Sequence, residues 1–146
     1  MKTYSAKPAE VNRKWYVLDA SQAAFGRVAT QAAQLLSGKG KSMYTNHIDC
    51  GDYVVIINSD KLVATGKKLD DKIYYRHTNY PGGIKQATLK EKMDKDSTKV
   101  LFQAVQGMLP DNKLRAERLK RLKIYTDGNH GHDAQKPQQL KVKEGK

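Results

Sequence analysis

The sequence predicts an α/β domain built around a largely parallel β-sheet, and two observations support this. The run 53–57, YVVII, is apolar without alternating polar residues, which is typical of a strand covered on both faces, as in parallel sheets. Strand-like runs are also separated from one another by segments with helical periodicity, an order that favours βαβ units. A chain of 146 residues has the usual length of one compact domain with a single core.

The first half of this domain is predicted to contain one helix between strands. Residues 15–18, WYVL, form a short β-rich run. Apolar residues in 25–36 recur at i, i+3 and i+4, which predicts an amphipathic helix that ends at Gly38. Beyond the buried strand, the runs 62–64 and 73–75 are two further strand candidates.

The second half is predicted to be mainly helical. Thr88 is placed to cap a short charged helix, and Ser97 to cap a second one whose apolar stripe covers 100–109. A helix over about 112–121 and a strand over 122–125 complete the domain.

The chain divides into three predicted parts. Residues 1–14 form an extended basic arm, 15–128 a single α/β domain, and 129–146 a basic, polar tail. The tail has four lysines and no apolar periodicity, so no regular structure is expected there. The arm and the tail are expected to become ordered only in a complex.

Charge is the strongest compositional signal. The chain has 27 Lys and Arg against 15 Asp and Glu, a formal net charge of +12. A compact domain with this surplus attracts polyanions, whereas acidic residues would serve solubility better. The sequence has no apolar run of the roughly 20 residues that span a bilayer and no signal-peptide pattern at its start. Its single cysteine fits a reducing compartment, so we expect a cytoplasmic protein without a membrane partner.

The segment 76–85, RHTNYPGGIK, allows two functional interpretations. It could cradle the phosphates of a small nucleotide, yet the chain has neither a Walker loop nor a Gly-x-Gly-x-x-Gly after its first strand. It could instead press against an RNA backbone, because it combines two cations, an imidazole, a phenol ring and a stiff Pro-Gly-Gly turn. A hairpin-like loop with incidental charge is the remaining alternative.

Two clusters contain donor types found in catalytic or metal sites. The first, 47–52, is HIDCGD, and the second, 129–133, is NHGHD. We interpret the first as a turn in which Cys50 packs as a small hydrophobe. The second has two histidines, whereas a stable zinc site needs three or four ligands. Neither a metal nor another cofactor is therefore expected, and histidines in a basic tail more often stack on bases or bond to phosphates.

Basic residues are dense near the end of the domain and recur in every loop. Between 112 and 125 there are six cations and one carboxylate. On a helix, the leucines can face inward while Arg115, Arg118 and either Lys120 or Arg121 project outward. Charge spread over several sides, without helix-turn-helix or zinc-finger spacing, is typical of a protein embedded in folded RNA.

Several motifs together resemble a known family. They are KTYSAKP, WYVLDA, FGRVA, GDYVVIIN, TGKK, YYRHTNYPGG, GMLP and LKIY, in this order. On them the chain, from about residue 1 to 138, resembles bacterial large-subunit ribosomal protein thirteen, the universal uL-thirteen family. Departures from the family pattern occur at Cys50, Arg115, Asp127 and Gly131.

The resemblance implies a three-layer α/β/α domain with about four parallel strands and no catalysis. It also implies binding to large-subunit rRNA, a part in early subunit assembly, and neighbouring ribosomal proteins as partners, with no small-molecule substrate. The RNA-binding residues implied by the resemblance are Lys2, Lys7, Lys39, Lys41, Arg76, His77, Tyr80, Gly82, Gly83, Lys113 and Lys123, with His130 and His132 matching in part. Charge and position add Lys67, Lys68, Lys85, Arg115, Arg118, Lys120 and Arg121.

The expected function is therefore that of a structural rRNA-binding protein of the large subunit, which neutralises crowded phosphates. Two alternatives belong to other classes. One is a small nucleotide-dependent enzyme that uses the Pro-Gly-Gly loop, and the other is a free regulatory protein that binds RNA or DNA.

Overall fold

A four-stranded, fully parallel sheet forms the centre of the protein, as seen in a computed structural model that describes residues 2–142. In chain order the elements are β1 (Trp15–Asp19), α1 (Phe25–Ser37), β2 (Tyr53–Ile57), α2 (Lys68–Asp71), β3 (Ile73–His77), β4 (Ile84–Thr88), α3 (Leu89–Met108), α4 (Leu114–Lys120), β5 (Leu122–Ile124) and β6 (Gln138–Leu140). The strand order in the main sheet is β5-β2-β1-β6. The predicted α/β class and the count of about four strands are confirmed.

The sheet is covered on both faces by different kinds of structure. Leu18, Val54 and Ile56 belong to one core cluster with buried residues of α1 and α3. Side chains alternate along a strand, so Trp15 lies on the opposite face, where its ring contacts that of His132 at 5.1 Å. His132 lies in the β5–β6 connection, which joins the two edge strands of the sheet and contacts the face that carries Trp15.

Helix α1 follows the predicted periodicity closely. Its buried side chains include Phe25, Val28, Ala32 and Leu36. Gly38 ends the helix in the left-handed conformation, with φ of 78°. A side chain at Gly38 would also approach the carbonyl oxygen of Cys50 to 2.6 Å, so both conformation and space require glycine.

Helix α3 has a side-chain cap at its start and a second one inside it. The Glu91 N–H donates to the Thr88 hydroxyl, while the Thr88 N–H donates to the Glu91 carboxylate, a capping box that confirms the predicted start. The backbone breaks helical geometry at Asp96, with φ of −167° and ψ of 98°. Asp96 then accepts from the Thr98 and Lys99 N–H groups and caps the second half.

The prediction that Ser97 provides this cap is wrong by one residue. Ser97 is 3% exposed, and its hydroxyl bonds to the hydroxyl of Ser59 at 2.8 Å and donates to Asp60 at 2.5 Å. The serine is occupied by these tertiary contacts, which sequence spacing does not reveal.

Strands β3 and β4 form a separate antiparallel hairpin, so the predicted strand at 73–75 lies outside the main sheet. The predicted strand at 62–64 is wrong, because only Val63 forms a bridge, to Ala24. Leu62 is 9% exposed and packs in the core. Its apolar character therefore reflects packing after a short 3₁₀ turn, Ser59–Lys61, and not strand pairing.

The tail was predicted to have no regular structure, and this is wrong for Gln138–Leu140. These residues are β6 and pair in parallel with β1, and Val142 beyond them is 7% exposed. A three-residue edge strand with two glutamines bonds through its backbone, so it has no apolar periodicity to detect. The rest of the division into arm, domain and tail stays a prediction, and Met1 and 143–146 lie outside the described residues.

The arm contacts the loop that precedes β2. Ala6 is 4% exposed and its N–H donates to the Thr45 hydroxyl at 3.1 Å. Arg13 donates to the carbonyl oxygens of Gly51 and Asp49, at 2.6 and 3.1 Å.

In the part of the chain that the structure describes, no helix is both long enough and apolar enough to cross a bilayer.

The cap inside α3 predicts a pH-dependent stability. Hydrogen bonds from Thr98 and Lys99 lower the pKa of Asp96 to about 2. The pKa of an aspartate in the unfolded chain is about 3.9. The stabilisation is thus complete above about pH 4 and lost as the pH falls towards 2. We expect Asp96→Ala to lower the urea midpoint at pH 6, with the difference from wild type shrinking by pH 2.

Asp94→Ala is the matched control, because Asp94 is an exposed carboxylate two residues away. Its urea midpoint should stay close to that of wild type at both pH values. Equal midpoints for the two variants at pH 6 would contradict the assignment of Asp96 as a cap.

Candidate nucleic-acid interface

The segment 76–85 is the end of the β3–β4 hairpin. The Thr78 N–H donates to the Gly83 carbonyl at 2.8 Å, and the Gly83 N–H to the Tyr80 carbonyl at 2.9 Å. The Asn79 N–H donates to Nδ1 of His77 at 2.9 Å. These three N–H groups are bonded within the loop and are not available to cradle a small phosphate ligand.

The structure of the hairpin itself requires glycine at positions 82 and 83. Gly82 has φ of 70°, as the third residue of a type II turn with proline before it requires. A Cβ on Gly83 would lie 1.9 Å from the Thr78 hydroxyl. The prediction that these glycines let RNA approach remains a prediction, because the hairpin alone explains both.

The hairpin has two chemically different faces. Arg76 pairs directly with Lys85 across the ladder, so the two cations lie on one face. Tyr75 and Ile84, on the other face, are 68% and 64% exposed, and at the tip Tyr80 is 75% exposed. One face therefore presents charge, and the other presents apolar and aromatic surface.

The direct opposition of Arg76 and Lys85 is electrostatically unfavourable within the protein. Directly opposite residues have Cβ atoms about 4.5–5.5 Å apart, and like charges in such pairs destabilise a sheet. Neither cation has a carboxylate at ion-pair distance among residues 2–142. The pair is suited to an external anion.

Other predicted cations are also exposed, and within the described part of the chain they have no ion pair. They are Lys2, Lys39, Lys67, Lys68, Lys113 and Lys123. Lys68 lies 5.8 Å from the centre of the Phe25 ring. Three more predicted cations form surface pairs: Lys7 with Glu10 at 3.8 Å, Arg115 with Asp111 at 3.3 Å and Lys120 with Glu117 at 3.9 Å. Exposed pairs of this kind are weak and can be exchanged for phosphate.

Arg118 and Arg121 do not project outward, and that prediction is wrong. They are 1% and 7% exposed. Nη2 of Arg121 donates to Oδ1 of Asp49 at 2.7 Å and to the Leu36 carbonyl at 3.2 Å. The helix was predicted over about 112–121, but α4 ends at Lys120, so Arg121 lies outside the helix and turns towards the interior.

Asp49 is the carboxylate around which this buried cluster forms. Burial by itself would raise the Asp49 pKa, but the hydrogen bond and positive charge of Arg121 outweigh it and lower the pKa. Nε of Arg118 lies 3.8 Å from Oδ1 of Asp49 and has no hydrogen-bond partner among the described atoms. A Cβ on Gly51 would lie 1.7 Å from the Leu36 carbonyl oxygen and 2.8 Å from Nη2 of Arg121, so the cluster requires glycine there.

The loop 43–52 has a structural role. Cys50 is fully buried, with Sγ 3.6 Å from the Met43 carbonyl, which confirms the packing predicted for it. Lys41 donates to Asp52 at 2.6 Å and to the Asn12 carbonyl at 2.8 Å. Lys41, predicted to bind RNA, is therefore engaged internally.

Among the described residues, no group of three or more His, Cys, Asp and Glu side chains is arranged to hold a metal ion.

The two tail histidines pack on the protein itself. Nε2 of His132 is 2.8 Å from the Tyr125 hydroxyl, and its ring contacts Trp15. Nδ1 of His130 accepts from the His132 N–H at 3.1 Å. His132 therefore supports this face of the sheet, and its predicted contact with RNA stays a prediction.

A concave surface of about 810 Å³ lies beside α1. Its lining includes Lys39 and two cations that were not predicted, Lys14 and Arg27. The available signal was that Arg27, Gln31 and Gln34 recur at helical spacing along one side of α1. Sequence analysis missed this surface because it used that helix only for its apolar face.

Comparison with known proteins identifies the family to which the chain belongs. A family model described as "Ribosomal protein L13" matches residues 13–131. The chain is 51% identical over 142 residues to "Large ribosomal subunit protein uL13" of Caldanaerobacter subterraneus subsp. tengcongensis, covering 97% of this chain and 99% of the relative.

The chain belongs to the ribosomal protein L13 family.

Other members are similar over the same length. Proteins called "Large ribosomal subunit protein uL13" are 49% identical over 144 residues in Legionella pneumophila (strain Corby) and 50% identical over 141 residues in Thermotoga maritima. These matches cover 99% and 97% of this chain, and 100% and 95% of the relatives. The resemblance recognised in the sequence motifs is thereby confirmed.

The buried cluster predicts that Arg121 affects stability. Removing one partner of a buried, hydrogen-bonded ion pair leaves the other charge uncompensated, which costs about 3–5 kcal/mol. We expect Arg121→Ala to reduce the free energy of unfolding by about 3 kcal/mol at pH 7, measured by urea denaturation.

Lys123→Ala is the control, since Lys123 is an exposed cation two residues further along. Its free energy of unfolding should remain close to that of wild type. If Arg121→Ala were as stable as Lys123→Ala, Arg121 would not be a structural residue.

Proposed function

We propose that this chain binds large-subunit rRNA and supports early assembly of the subunit by neutralising crowded phosphates. As a member of its family it is a structural component of the large ribosomal subunit, not an enzyme, and acts in the ribosome in the cytoplasm. The charge of the hairpin and the distribution of the exposed cations both support binding to RNA.

The observation that supports the proposal most directly is the pair formed by Arg76 and Lys85. Two cations opposite each other in a β-ladder repel, and a phosphate between them converts that repulsion into two attractions. The hairpin also presents Tyr80, whose exposed ring can stack on an unpaired base. His77 is also exposed, in the ladder opposite Ile84. Phosphate contact and stacking are the two contacts most used for irregular RNA.

The exposed cations lie on several parts of the fold, which suits an RNA that surrounds the protein. Lys39 follows α1, Lys67 and Lys68 lie at α2, Lys113 precedes α4, and Lys123 is in β5. Each contact with phosphate releases counterions from the RNA, so binding becomes strongly salt-dependent. Cations held at fixed distances by a folded domain bring separate RNA segments together, and this is the basis of the proposed role in assembly.

Neighbouring ribosomal proteins are proposed partners of the uncharged hairpin face. Tyr75 and Ile84 are exposed there without a cation between them. An exposed apolar surface of this kind is more typical of a protein contact than of a phosphate contact.

The phosphate contacts are tested by removing the hairpin cations. The logarithm of affinity for an rRNA fragment should fall with the logarithm of salt concentration, by about 0.7–0.9 per phosphate contacted. We expect Arg76→Gln/Lys85→Gln to reduce that slope by about 1.4–1.8, as measured by filter binding over a series of KCl concentrations.

The control is Lys90→Gln/Lys95→Gln, which removes two exposed cations of α3 outside the predicted set. Its slope should match that of wild type. An unchanged slope in the hairpin variant would remove the hairpin from the RNA interface. Failure of wild type to sediment with the large subunit after a moderate salt wash would refute the function itself and favour a free regulatory protein.

A further inference from the structure

The concave surface beside α1 combines groups that the hairpin interface lacks. One wall is a side of α1, with Arg27, Thr30 and Gln34, and the other is formed by Lys14 and Tyr16 at the start of β1. Lys39, in the loop that follows α1, also lines this surface. Its volume of about 810 Å³ is within the roughly 300–1,000 Å³ of pockets that hold small organic ligands.

Three of the cations on this surface are available to an anion. Lys14, Arg27 and Lys39 have no carboxylate at ion-pair distance among the described residues. The carboxylate of Asp52, which also lines the surface, is neutralised by Lys41 at 2.6 Å. The resulting local potential is positive, and a concave, low-dielectric wall focuses such a field.

The end of α1 does not cancel this potential. A helix C-terminus normally has free carbonyl oxygens that repel anions. Here the Gln34 carbonyl accepts from the N–H groups of Gly38 and Lys39, at 3.0 and 3.3 Å, and the Leu35 carbonyl accepts from Asp52 at 3.0 Å. These carbonyl oxygens are satisfied by backbone donors.

Tyr16 adds a neutral aromatic ring to the same surface. Its ring is half-buried at the amino end of β1. Burial, and then the negative field of Asp52, raise the pKa of the Tyr16 phenol above its usual value. The hydroxyl therefore stays protonated at neutral pH and can donate a hydrogen bond. A planar ring, the Gln34 amide and several cations together match a planar base with phosphate on either side.

We propose that this surface binds one unpaired nucleotide of RNA, with its base against Tyr16 and Gln34 and its flanking phosphates against Arg27 and Lys39. The inference rests on the proposed function and adds a second contact, distinct from the hairpin. The base must be unpaired, because a base inside a duplex cannot present its flat face to a concave protein surface. A free nucleotide has the same base and phosphate chemistry, so the experiment separates the two sources.

The experiment uses the full chain, with a large-subunit rRNA fragment and AMP as separate probes. Arg27→Gln/Lys39→Gln removes charge, and Thr30→Trp fills the concavity without changing charge, since Thr30 is exposed on α1. We expect the charge variant to reduce the salt slope of rRNA binding by about 1.4, at about 0.7 per phosphate of a single strand. Thr30→Trp should raise Kd roughly tenfold, the loss expected when one stacked base is displaced.

Ultraviolet crosslinking gives a local measurement. A nucleotide should be found by mass spectrometry on the peptide that contains Tyr16, in wild type and in Lys90→Gln/Lys95→Gln, and should be lost in Thr30→Trp. Urea midpoints of all variants near that of wild type would show that they are folded. If Thr30→Trp does not fold, the salt slope of the charge variant and the crosslink in wild type still test the inference.

The possible results distinguish failure of this inference from failure of the proposed function. Wild-type slopes and crosslinks in both concavity variants, with rRNA binding intact, would overturn this inference and leave the proposed function standing. Absence of rRNA binding by wild type would overturn the proposed function as well. Stoichiometric AMP binding that is abolished by Thr30→Trp, with no competition between AMP and the RNA fragment, would assign the surface to free nucleotides and overturn the RNA assignment.

Discussion

The Asp49 carboxylate holds together the edge of the sheet at which the parallel strands begin. Arg121 binds it through both terminal nitrogens and reaches the last turn of α1 through the Leu36 carbonyl. Arg13 at the base of the arm bonds to the backbone on either side of Cys50. A buried guanidinium must be paired and hydrogen-bonded to offset its desolvation. Four separate segments are therefore fixed relative to one another around Asp49, by the ion pair of its carboxylate with Arg121 and by the bonds of Arg121 and Arg13 to backbone carbonyl oxygens.

This cluster also determines which cations remain for a ligand. Arg118, Arg121 and Lys41 have internal partners, so a considerable part of the basic segment near α4 is structural. The exposed cations lie elsewhere: on the hairpin, beside α1, and in the loops around α2 and α4. The protein uses similar residues for two purposes, and burial separates them. A charged side chain inside stabilises the domain, whereas the same side chain outside adds to the field that attracts RNA.

The hairpin is attached to the rest of the domain at its base, where Tyr74 packs against the core. Within residues 2–142 its strands pair only with each other, and on the face towards the protein Tyr74 and Ala87 are half-buried. Nζ of Lys92 lies 4.0 Å from the centre of the Tyr74 ring, which helps to hold the base of the hairpin on α3. The tip with Arg76 and Lys85 projects beyond this contact, so a ligand can reach both cations without disturbing the core.

Patterns of local origin were predictable from the sequence. Strand β2 follows from its unbroken apolar run, α1 from its periodicity and Gly38, and the start of α3 from Thr88 with Glu91. Strand β6 was not predictable, because a short edge strand with polar side chains is specified by the neighbour to which it bonds. The cap inside α3 was predicted at Ser97, but the Ser97 hydroxyl bonds to Ser59 and Asp60 and the neighbouring Asp96 provides the cap.

By itself the sequence determined the α/β class, the excess of positive charge, the turn chemistry of the hairpin and, through its motifs, the family. Only the tertiary structure decided which cations face outward. Arg121 meets Asp49 across 72 residues of chain, and helical periodicity describes only neighbours three or four residues apart. An arginine becomes a buried ion-pair partner only if folding brings a carboxylate to it. A local sequence pattern does not show which distant carboxylate will lie beside it.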